Sequence, residues 1–514
     1  MKVIINNKLS IEDIINVSRN NYKVELSAEA INRICNCREY IDNLKQSKRL
    51  IYGINTGLGD LCDTLIDNEL QGKYQQNILL SHACGSGDRY PVEVVRAAMI
   101  ILINSIAKGY SGTSLEVVLF YIMMLNENIT PVVPQKGSLG ASGDLVPLAH
   151  TALPLIGYGR VIYKDKIYES KDFFATKNIK PINLKSKEAL SIINGTHYMT
   201  ALGVLIIYDS YKMVKIADCS AALTTEALNG IISNYNPKIH KLRKKYGQIK
   251  TAQIMNKLLN GSEYVKEDPC IKAQDAYSIR CIPQVHGASK DAYNYVKDVI
   301  NTEINAVTDN PLIFYEDDEI ISGGNFHGQP LAISFDFLCI ALSELCNISE
   351  RRIERLVNHN LSGLPAFLAN NRGYNSGLMI LQYSAASLVS ENKVLSHPAS
   401  VDSIPSSANQ EDHVSMGNIS TRKCLEILNN LRRVLSIEIM CACQAIDLQE
   451  KKNLGKGTEL IYKIIREKSS FIENDRLFYN DLNIIEKIIE TDDFLSQIEN
   501  KIGKIDFDKK VRNE

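Results

Sequence analysis

The sequence predicts a mainly α fold with a long central helical bundle and a loop-rich N-terminal part. Apolar residues recur every three or four positions over long stretches, as they do on one face of an α-helix. Alternation typical of strands is short and rare. Polar segments with Gly or Pro interrupt the helical stretches at 52–63, 131–144, 308–330 and 397–417. Because loops on a rigid scaffold commonly carry function, these segments are the candidate functional regions.

Three apolar stripes support the helical prediction. In the longest, polar residues such as Ser436 and Glu438 fall between the apolar positions, which indicates an amphipathic helix. The stripes are Cys424, Leu428, Leu431, Leu435, Ile439, Ala442 and Ile446; Leu338, Leu342, Leu345, Ile353 and Leu356; and Leu115, Val118, Leu119 and Ile122. Alternation between Arg160 and Ser170 predicts a small surface hairpin.

The chain divides into three predicted regions. Residues 1–200 form an N-terminal domain with the main functional loop, and residues 201–450 form a bundle of long helices. In residues 451–514, Lys, Glu and Asp alternate with Ile and Leu at helical spacing, which indicates charged surface helices.

Composition narrows the class of protein. Of 514 residues, 45% are hydrophobic and 23% are charged, as in ordinary globular proteins. A formal net charge of −1 gives no electrostatic reason to expect nucleic acid or an anionic membrane as partner. The N-terminal residues lack the pattern of a signal peptide, and the most apolar stretch, Ala97 to Ile103, is too short to span a bilayer. We expect a cytoplasmic protein whose 12 cysteines are reduced core residues.

Motifs for metals and nucleotides are missing. There is no Cys-x-x-Cys and no His-Glu-x-x-His, and no Gly-Lys pair has the earlier glycine of a P-loop. Gly57-Leu58-Gly59 lacks the third glycine of the dinucleotide fingerprint. The chemistry is therefore expected to use no bound metal and no nucleotide.

The stretch "QKGSLGASGDLVPLAH" surrounds one serine, Ser142, with small residues. Gly143 leaves its amide nitrogen unshielded, and Ala141 leaves its carbonyl carbon open, so a tight bend could cyclise the backbone. Loss of water from the ring and from the serine would leave a methylidene electrophile made from protein alone. Asp144 is a plausible N-cap and Pro147 suits the first turn of a following helix, whose positive dipole end would favour negative charge on the ring. The alternative is an ordinary glycine-rich turn.

Several blocks in the same order, from "YGINTGLGDL" to "NQEDHVSMG", resemble the aromatic amino-acid ammonia-lyases, and the histidine-specific members most closely. In that family the electrophile is 4-methylidene-imidazol-5-one, formed from an internal Ala-Ser-Gly. The resemblance assigns this role to Ala141, Ser142 and Gly143 and implies that no soluble cofactor is needed. It also implies a mainly α homotetramer with 222 symmetry, whose active sites combine residues from three subunits.

The resemblance assigns roles to further residues. Tyr52, in "YGINTGLG", matches the catalytic base, which needs a lowered pKa to act as phenolate. Asn194, in "SIINGTHYMT", lies close to the substrate and the electrophile. In "QDAYSIRCIPQVHG", Arg280 matches the arginine that binds the substrate carboxylate, a task suited to its bidentate fork. Tyr277 matches a hydroxyl donor to the electrophile or to an intermediate, and Gln274 a polar contact to the substrate.

Three other residues bear on selectivity. Phe326, in "SGGNFHGQP", resembles the aromatic residue beside the electrophile. Glu411 and His82 match polar groups that meet the substrate imidazole in histidine-specific members. In a pocket for phenylalanine both groups would be left unpaired, at a cost of about 1–3 kcal/mol each. His82 alone decides little, because tyrosine-selective members can carry histidine there.

The sequence departs from the family pattern at three positions. Leu58 stands where phenylalanine is usual, Cys84 replaces a common alanine, and His197 stands where histidine-specific members usually have glutamine. We expect His197 to be a neutral histidine close to the site.

The expected function is the non-oxidative deamination of L-histidine to trans-urocanate and ammonia, the first step of histidine degradation. One alternative is a tyrosine or phenylalanine ammonia-lyase, or a related 2,3-aminomutase. Another is an inactive helical scaffold that keeps the fold.

Overall fold

The computed structural model describes residues 1–44, 51–57, 64–266, 273–371 and 373–509. It is 61% helical, which confirms the predicted mainly α fold. The described residues form two compact units. The first contains Met1–Leu205, Lys297–Asp336 and Pro398–Arg422; the second contains Ile206–Val296, Phe337–His397 and Lys423–Glu514. The division into 1–200, 201–450 and 451–514 stays a prediction.

Helices of the first unit are short or of medium length. They are α1 (Ile11–Ser18), α2 (Ala28–Leu44), α3 (Gln71–His82), α4 (Val92–Ile106), α5 (Leu115–Asn126), α6 (Leu145–Ala152), α7 (Ser170–Thr176) and α8 (Glu188–Ile193). Helix α4 is apolar on all sides and almost wholly buried. Its buried Arg96 donates to the carbonyl oxygens of Val17, at 2.8 Å, and Leu125, at 3.1 Å. Burial lowers the pKa of Arg96 to about 10. The hydrogen bonds of Arg96 join α4 to the ends of α1 and α5.

Small sheets complete the first unit. The strands are β1 (Lys2–Ile5), β2 (Lys23–Leu26), β3 (Ser86–Arg89), β4 (Thr130–Pro131), β5 (Pro134–Lys136), β6 (Arg160–Tyr163), β7 (Lys166–Glu169), β8 (Leu312–Phe314) and β9 (Glu319–Ile321). Strands β6 and β7 form the predicted hairpin and pair with β4. Lys164 and Asp165 between them have positive φ, as the primed two-residue hairpin turns require. Strand β5 pairs with β3 and leads into the turn around Ser142.

Helices of the second unit include most of the long ones. The remaining helices are α9 (His197–Ala227), α10 (Pro237–Arg243), α11 (Tyr246–Leu258), α12 (Tyr277–Arg280), α13 (Ile282–Glu303), α14 (Gln329–Val357), α15 (His359–Ser362), α16 (Met379–Leu395), α17 (Gly417–Asp447), α18 (Lys456–Lys468), α19 (Phe478–Glu490) and α20 (Asp492–Ile502). Boundaries between the units fall inside α9, α13, α14 and α17. The charged C-terminal region contains α18, α19 and α20, each of which buries Ile or Leu residues.

The predicted stripes on α14 and α17 are confirmed, since all of their apolar residues are buried. On α5 the stripe is partly wrong, because Leu119 is 48% exposed. The prediction that the polar residues between the apolar positions of α17 form a polar face is wrong at Ser436 and Glu438, since both are fully buried. Glu438 can be buried because a cation on a neighbouring helix compensates its charge.

That cation is Arg352 on α14, which binds both carboxylate oxygens of Glu438, with Nη2 at 2.9 Å from Oε2. The hydroxyls of Ser349 and Thr224 donate to the same carboxylate at 2.6 and 2.7 Å. Arg352 holds the pKa of the Glu438 carboxyl below its usual value against the opposing effect of burial. The carboxylate is therefore ionised, fully hydrogen-bonded and dependent on its partner.

A second buried ion pair adjoins the first. Lys290 Nζ lies 2.8 Å from Asp218 Oδ2, and His286 donates from Nδ1 to Asp218 Oδ1 at 2.8 Å. Arg352 donates to Nε2 of His286 at 3.3 Å. Burial lowers the pKa of His286 to about 4, so this histidine is neutral and links the two ion pairs.

Helix α14 is long and apolar enough to cross a membrane by length and composition. However, 67% of its most apolar 18-residue window is buried inside the protein, as in the core helix of a globular protein.

Most of the described cysteines are buried, as predicted, but Cys35 and Cys84 are exposed.

Replacing Glu438 with Gln should lower the free energy of unfolding by about 3–5 kcal/mol, because Arg352 would remain buried without its counter-charge. Urea denaturation followed by circular dichroism measures the change. Glu459→Gln on α18 is the matched control, since Glu459 binds Lys463 and Lys501 at the surface, and its loss should cost less than about 1 kcal/mol. Equal effects of the two variants would contradict the importance of the buried pair.

Candidate functional site

The turn around Ser142 lies between β5 and α6. Gly140 and Gly143 face each other as an antiparallel bridge, so Ala141 and Ser142 occupy its apex. Both glycines lie in the left-handed region, with φ of 82° and 74°. A Cβ at Gly143 would stand 2.2 Å from the carbonyl oxygen of Gly195. Close backbone approach therefore requires glycine at position 143 independently of its φ.

Two backbone hydrogen bonds join this turn to the segment that contains Asn194. Gly195 N donates to the carbonyl of Ser142 at 3.2 Å, and Asp144 N donates to the carbonyl of Gly195 at 2.8 Å. Asn194 is 3% exposed, and its Oδ1 has no hydrogen-bond partner among the described residues. Asn194 thus lies next to the turn with an unused acceptor.

The carboxylate of Glu411 also reaches the turn. Ser142 Oγ donates to Glu411 Oε1 at 3.4 Å, and Ser406 Oγ donates to Oε2 at 3.0 Å. Reciprocal backbone bonds of 3.0 and 3.2 Å between Ser406 and Glu411 close the loop that carries this carboxylate. A third contact lies further along, where Met416 N donates to the carbonyl of Leu139 at 3.0 Å. The structure therefore brings Ser142, Glu411 and the Asn194 segment together.

Asp144 is the N-cap residue of α6, as predicted, but its carboxylate does not cap that helix. Its Oδ2 accepts the backbone N–H groups of Tyr198 and Met199, at 2.8 and 2.9 Å, in the first turn of α9. Its Oδ1 accepts from Asn418 Nδ2 at 3.2 Å. Burial raises the pKa of Asp144 to about 7, although these hydrogen bonds oppose the increase. One carboxyl group thus connects the turn to the starts of α9 and α17.

The residues after Asn194 are buried around a second carboxyl group. Thr196 donates from Oγ1 to Glu303 Oε1 at 2.5 Å, and burial raises the pKa of Glu303. His197 is 2% exposed, and burial lowers its pKa to about 4. This histidine is therefore neutral near pH 7, as predicted. Its Cε1 would lie 2.5 Å from a Cβ at Gly195, so it packs directly on the Asn-Gly segment.

His82 is the last residue of α3 and is half-buried. Its Nδ1 donates to the carbonyl of Ile78 at 2.8 Å, which leaves Nε2 as the acceptor of the neutral ring. The following loop is tied to α6, because Gly85 N donates to His150 Nε2 at 2.9 Å. Pairing of β3 with β5 gives a further link to the strand that leads into the Ser142 turn.

Two more predicted residues lie on loops of the first unit. Tyr52 is half-buried in the turn between Ile51 and Ile54, and these two isoleucines belong to or pack against a core cluster that also contains Cys37, Ile41 and Ile313. Phe326 is half-buried in the loop that precedes α14. Leu58 lies outside the described residues.

Gln274, Tyr277 and Arg280 belong to the second unit. Tyr277 begins α12 and is 70% exposed. Arg280, at the end of this helix, stacks its guanidinium 4.5 Å from the centroid of the Tyr277 ring. Gln274 is exposed in the preceding loop. A planar guanidinium supported by an aromatic face is well suited to bind a carboxylate.

Within the described residues, no group of three or more His, Cys, Asp or Glu side chains is arranged to hold a metal ion. A ring made from the chain itself needs a tight turn of small residues and access to the serine. The Ser142 turn meets both conditions, since Ala141 and Ser142 are half-buried at its apex.

Several residues that shape the site were not identified from the sequence. His327, His413 and Ser415 lie inside the family-like blocks and Asn418 directly follows the last one, but none of them carries a motif of its own. Ser415 Oγ would lie 2.3 Å from a Cβ at Gly140, so it requires glycine there. Such close packing between residues far apart in the sequence is visible only in the three-dimensional structure.

Known proteins resemble this chain over nearly its whole length. The family model described as "Aromatic amino acid lyase" matches residues 9–467. The chain is 52% identical over 495 residues to a histidine ammonia-lyase of Alkaliphilus oremlandii, covering 96% of this chain and 98% of that protein. It is 48% identical over 502 residues to histidine ammonia-lyase 1 of Fusobacterium nucleatum, covering 97% of each chain.

Solved structures share the fold. Histidine ammonia-lyase from Trypanosoma cruzi superposes with a TM-score of 0.91 at 38% identity, covering 98% of this chain and 96% of the other. Tyrosine aminomutase from Streptomyces globisporus gives a TM-score of 0.93 at 33% identity, covering 98% and 99%. The family match over most of the chain and these full-length relatives confirm the resemblance: the chain belongs to the aromatic amino acid lyase family.

Proposed function

We propose that this protein catalyses the non-oxidative deamination of L-histidine to trans-urocanate and ammonia. The observation that carries the proposal is the approach of the Glu411 carboxylate to within 3.4 Å of the Ser142 hydroxyl in the glycine-lined turn. A carboxylate at this place provides a partner for an imidazole N–H, whereas a phenyl side chain would leave it unpaired. Curated relatives named histidine ammonia-lyase, at about 50% identity over nearly the whole chain, give independent support.

We propose that Ala141, Ser142 and Gly143 form 4-methylidene-imidazol-5-one. The half-buried apex, the absence of a Cβ at Gly143 and the hydrogen bonds to the Asn194–Gly195 segment suit such a ring. Once formed, the ring supplies an electrophile that draws electron density from the substrate and makes loss of ammonia possible. The amide groups at the start of α6 favour negative charge beside it.

The remaining roles belong to side chains of the chain itself. Arg280 binds the substrate carboxylate through two parallel N–H groups. Tyr277 stacks on the guanidinium, and its hydroxyl donates a hydrogen bond to the electrophile or to an intermediate. Asn194 uses its unpartnered Oδ1 to accept a hydrogen bond from the substrate amine. Tyr52, as phenolate, removes the β-proton, and the C–N bond breaks as the double bond of urocanate forms.

Selectivity in this proposal comes from residues around the imidazole. His82 accepts through Nε2, because its Nδ1 proton is used by Ile78. Glu411 polarises the imidazole ring or accepts its proton. Phe326 packs beside the electrophile and Gln274 contacts polar atoms of the substrate. The predicted cytoplasmic location and homotetramer, with sites shared among three subunits, are part of the same proposal.

The direct test mixes purified protein separately with L-histidine, L-tyrosine and L-phenylalanine, and measures product absorbance together with released ammonia. We expect urocanate and equimolar ammonia from L-histidine alone. Formation of coumarate or cinnamate would support the electrophile but contradict the proposed selectivity for L-histidine. A β-amino acid without ammonia would indicate an aminomutase, and no product from any substrate would indicate an inactive scaffold.

Replacing Ser142 with Ala should reduce turnover of L-histidine by about 10³-fold or more, because the methylidene carbon comes from this serine. Turnover, methylidene absorbance and far-UV circular dichroism are measured together. Ser496→Ala is the matched control, since Ser496 is exposed on α20 and its hydroxyl bonds only to the carbonyl of Asp492 in the same helix. A fully active Ser142→Ala protein would falsify the assignment of the electrophile.

Replacing His82 with Leu should lower kcat/KM for L-histidine by about 5- to 150-fold, equivalent to about 1–3 kcal/mol, because the substrate imidazole loses a polar partner. The value for L-phenylalanine should stay the same or rise. Steady-state kinetics on both substrates measure the ratio. An unchanged kcat/KM for L-histidine would contradict the role of His82 in substrate recognition, and a decrease accompanied by a lower urea midpoint would show that His82 supports the fold of the loop instead.

A further inference from the structure

Two histidines without an assigned role connect the loops that carry Phe326 and Glu411. The rings of His327 and His413 stack with centroids 5.7 Å apart and planes 7° apart. His327 Nε2 also donates to the backbone carbonyl of His413 at 3.2 Å. His327 directly follows Phe326, and His413 lies two residues after Glu411. The pair therefore joins the Phe326 loop to the segment whose Glu411 carboxylate contacts Ser142.

Both nitrogens of the His327 ring are used. Nδ1 accepts the backbone N–H of Gln329 at 3.3 Å, at the first residue of α14, while Nε2 carries the proton given to His413. This pattern requires the neutral ring with its proton on Nε2. The imidazole thus connects the start of a long helix to the backbone of the Glu411 segment.

The Glu411 segment is otherwise anchored on either side of this point. Before it, Ser406 bonds to the backbone and the side chain of Glu411. After it, Met416 N bonds to the carbonyl of Leu139, and Ser415 packs on Gly140. The hydrogen bond from His327 holds the backbone of His413, which lies between these ends and two residues after Glu411.

The neighbouring backbone leaves little room for adjustment. A Cβ at Gly328 would stand 3.0 Å from Ser415 Oγ and 2.7 Å from the side chain of Met199. The loop before α14 therefore packs closely on the Glu411 segment, and His327 projects from this packed loop. A hydrogen bond from a rigid element is an effective way to fix a neighbouring reactive group.

From this arrangement we infer that His327 is a positioning residue that sets the location of the Glu411 carboxylate for substrate recognition. The inference rests on the proposed function, in which Glu411 meets the substrate imidazole. His327 acts through the carbonyl of His413 and does not itself touch the reacting atoms. A displacement of the carboxylate by about 1 Å can cost up to about 10²-fold in rate.

The test compares His327→Phe and His327→Gln, each alone and in a Glu411→Gln background. Phenylalanine keeps a ring for stacking but has no N–H donor, whereas the glutamine amide can still donate to the carbonyl of His413. We expect His327→Phe to lower kcat/KM for L-histidine by about 10-fold or more and His327→Gln to recover most of this loss. In the Glu411→Gln background, His327→Phe should change kcat/KM by less than about twofold, because the group that it positions is already altered.

Methylidene absorbance and the urea midpoint of each variant are recorded alongside. His359→Phe is the control, since His359 is exposed at the start of α15, and it should leave both kinetics and stability unchanged.

An equal loss from His327→Phe in the wild-type and Glu411→Gln backgrounds would overturn the inference. So would a loss of methylidene absorbance or a lower urea midpoint in His327→Phe, or a His327→Gln protein as impaired as His327→Phe. A wild-type protein that releases no urocanate from L-histidine would reject the proposed function first and this inference with it. Normal wild-type activity with additive variants would reject the inference alone.

Discussion

The backbones of Gly143 and Gly195 are in direct contact, and neither position has room for a side chain. At Gly143 a Cβ would meet the carbonyl of Gly195 at 2.2 Å, and at Gly195 it would meet His197 and Thr308 at 2.5 Å each. Hydrogen bonds from Gly195 to Ser142 and from Asp144 back to Gly195 use this proximity. The candidate site depends on this contact, because it fixes Ser142 and Asn194 relative to each other without using either side chain.

Asp144 extends this contact to the helices. Its buried carboxylate accepts two N–H groups at the start of α9 and the amide of Asn418 in the first turn of α17. Asn418 in turn accepts from the hydroxyl of Tyr90 at 3.1 Å. A carboxyl group with a pKa near 7 is costly to bury as an anion, and these donors offset part of that cost. The same arrangement places a carboxyl group that ionises near pH 7 directly after the turn.

In the first unit, burial determines the protonation state of one histidine, and hydrogen bonds to the backbone determine the tautomers of two others. His197 is neutral because it is buried, and its ring packs on the Asn-Gly segment. His82 and His327 each give one ring proton to a backbone carbonyl, so the opposite nitrogen is an acceptor. Their tautomers are thus determined by backbone positions.

The sequence by itself determined the mainly α class, the stripes of α14 and α17, the β6–β7 hairpin and the family, because helical and strand periodicity and ordered motif blocks are local patterns. Tertiary structure decided which polar residues are buried and what they contact. Leu119 faces outward although it continues a helical stripe, and Glu438 is buried because Arg352, distant in sequence, lies opposite it. The carboxylate of Asp144 caps α9 and not α6, and His327 binds a carbonyl 86 residues away. Such pairings need segments that are far apart in the chain to meet in space, and no local pattern contains that information.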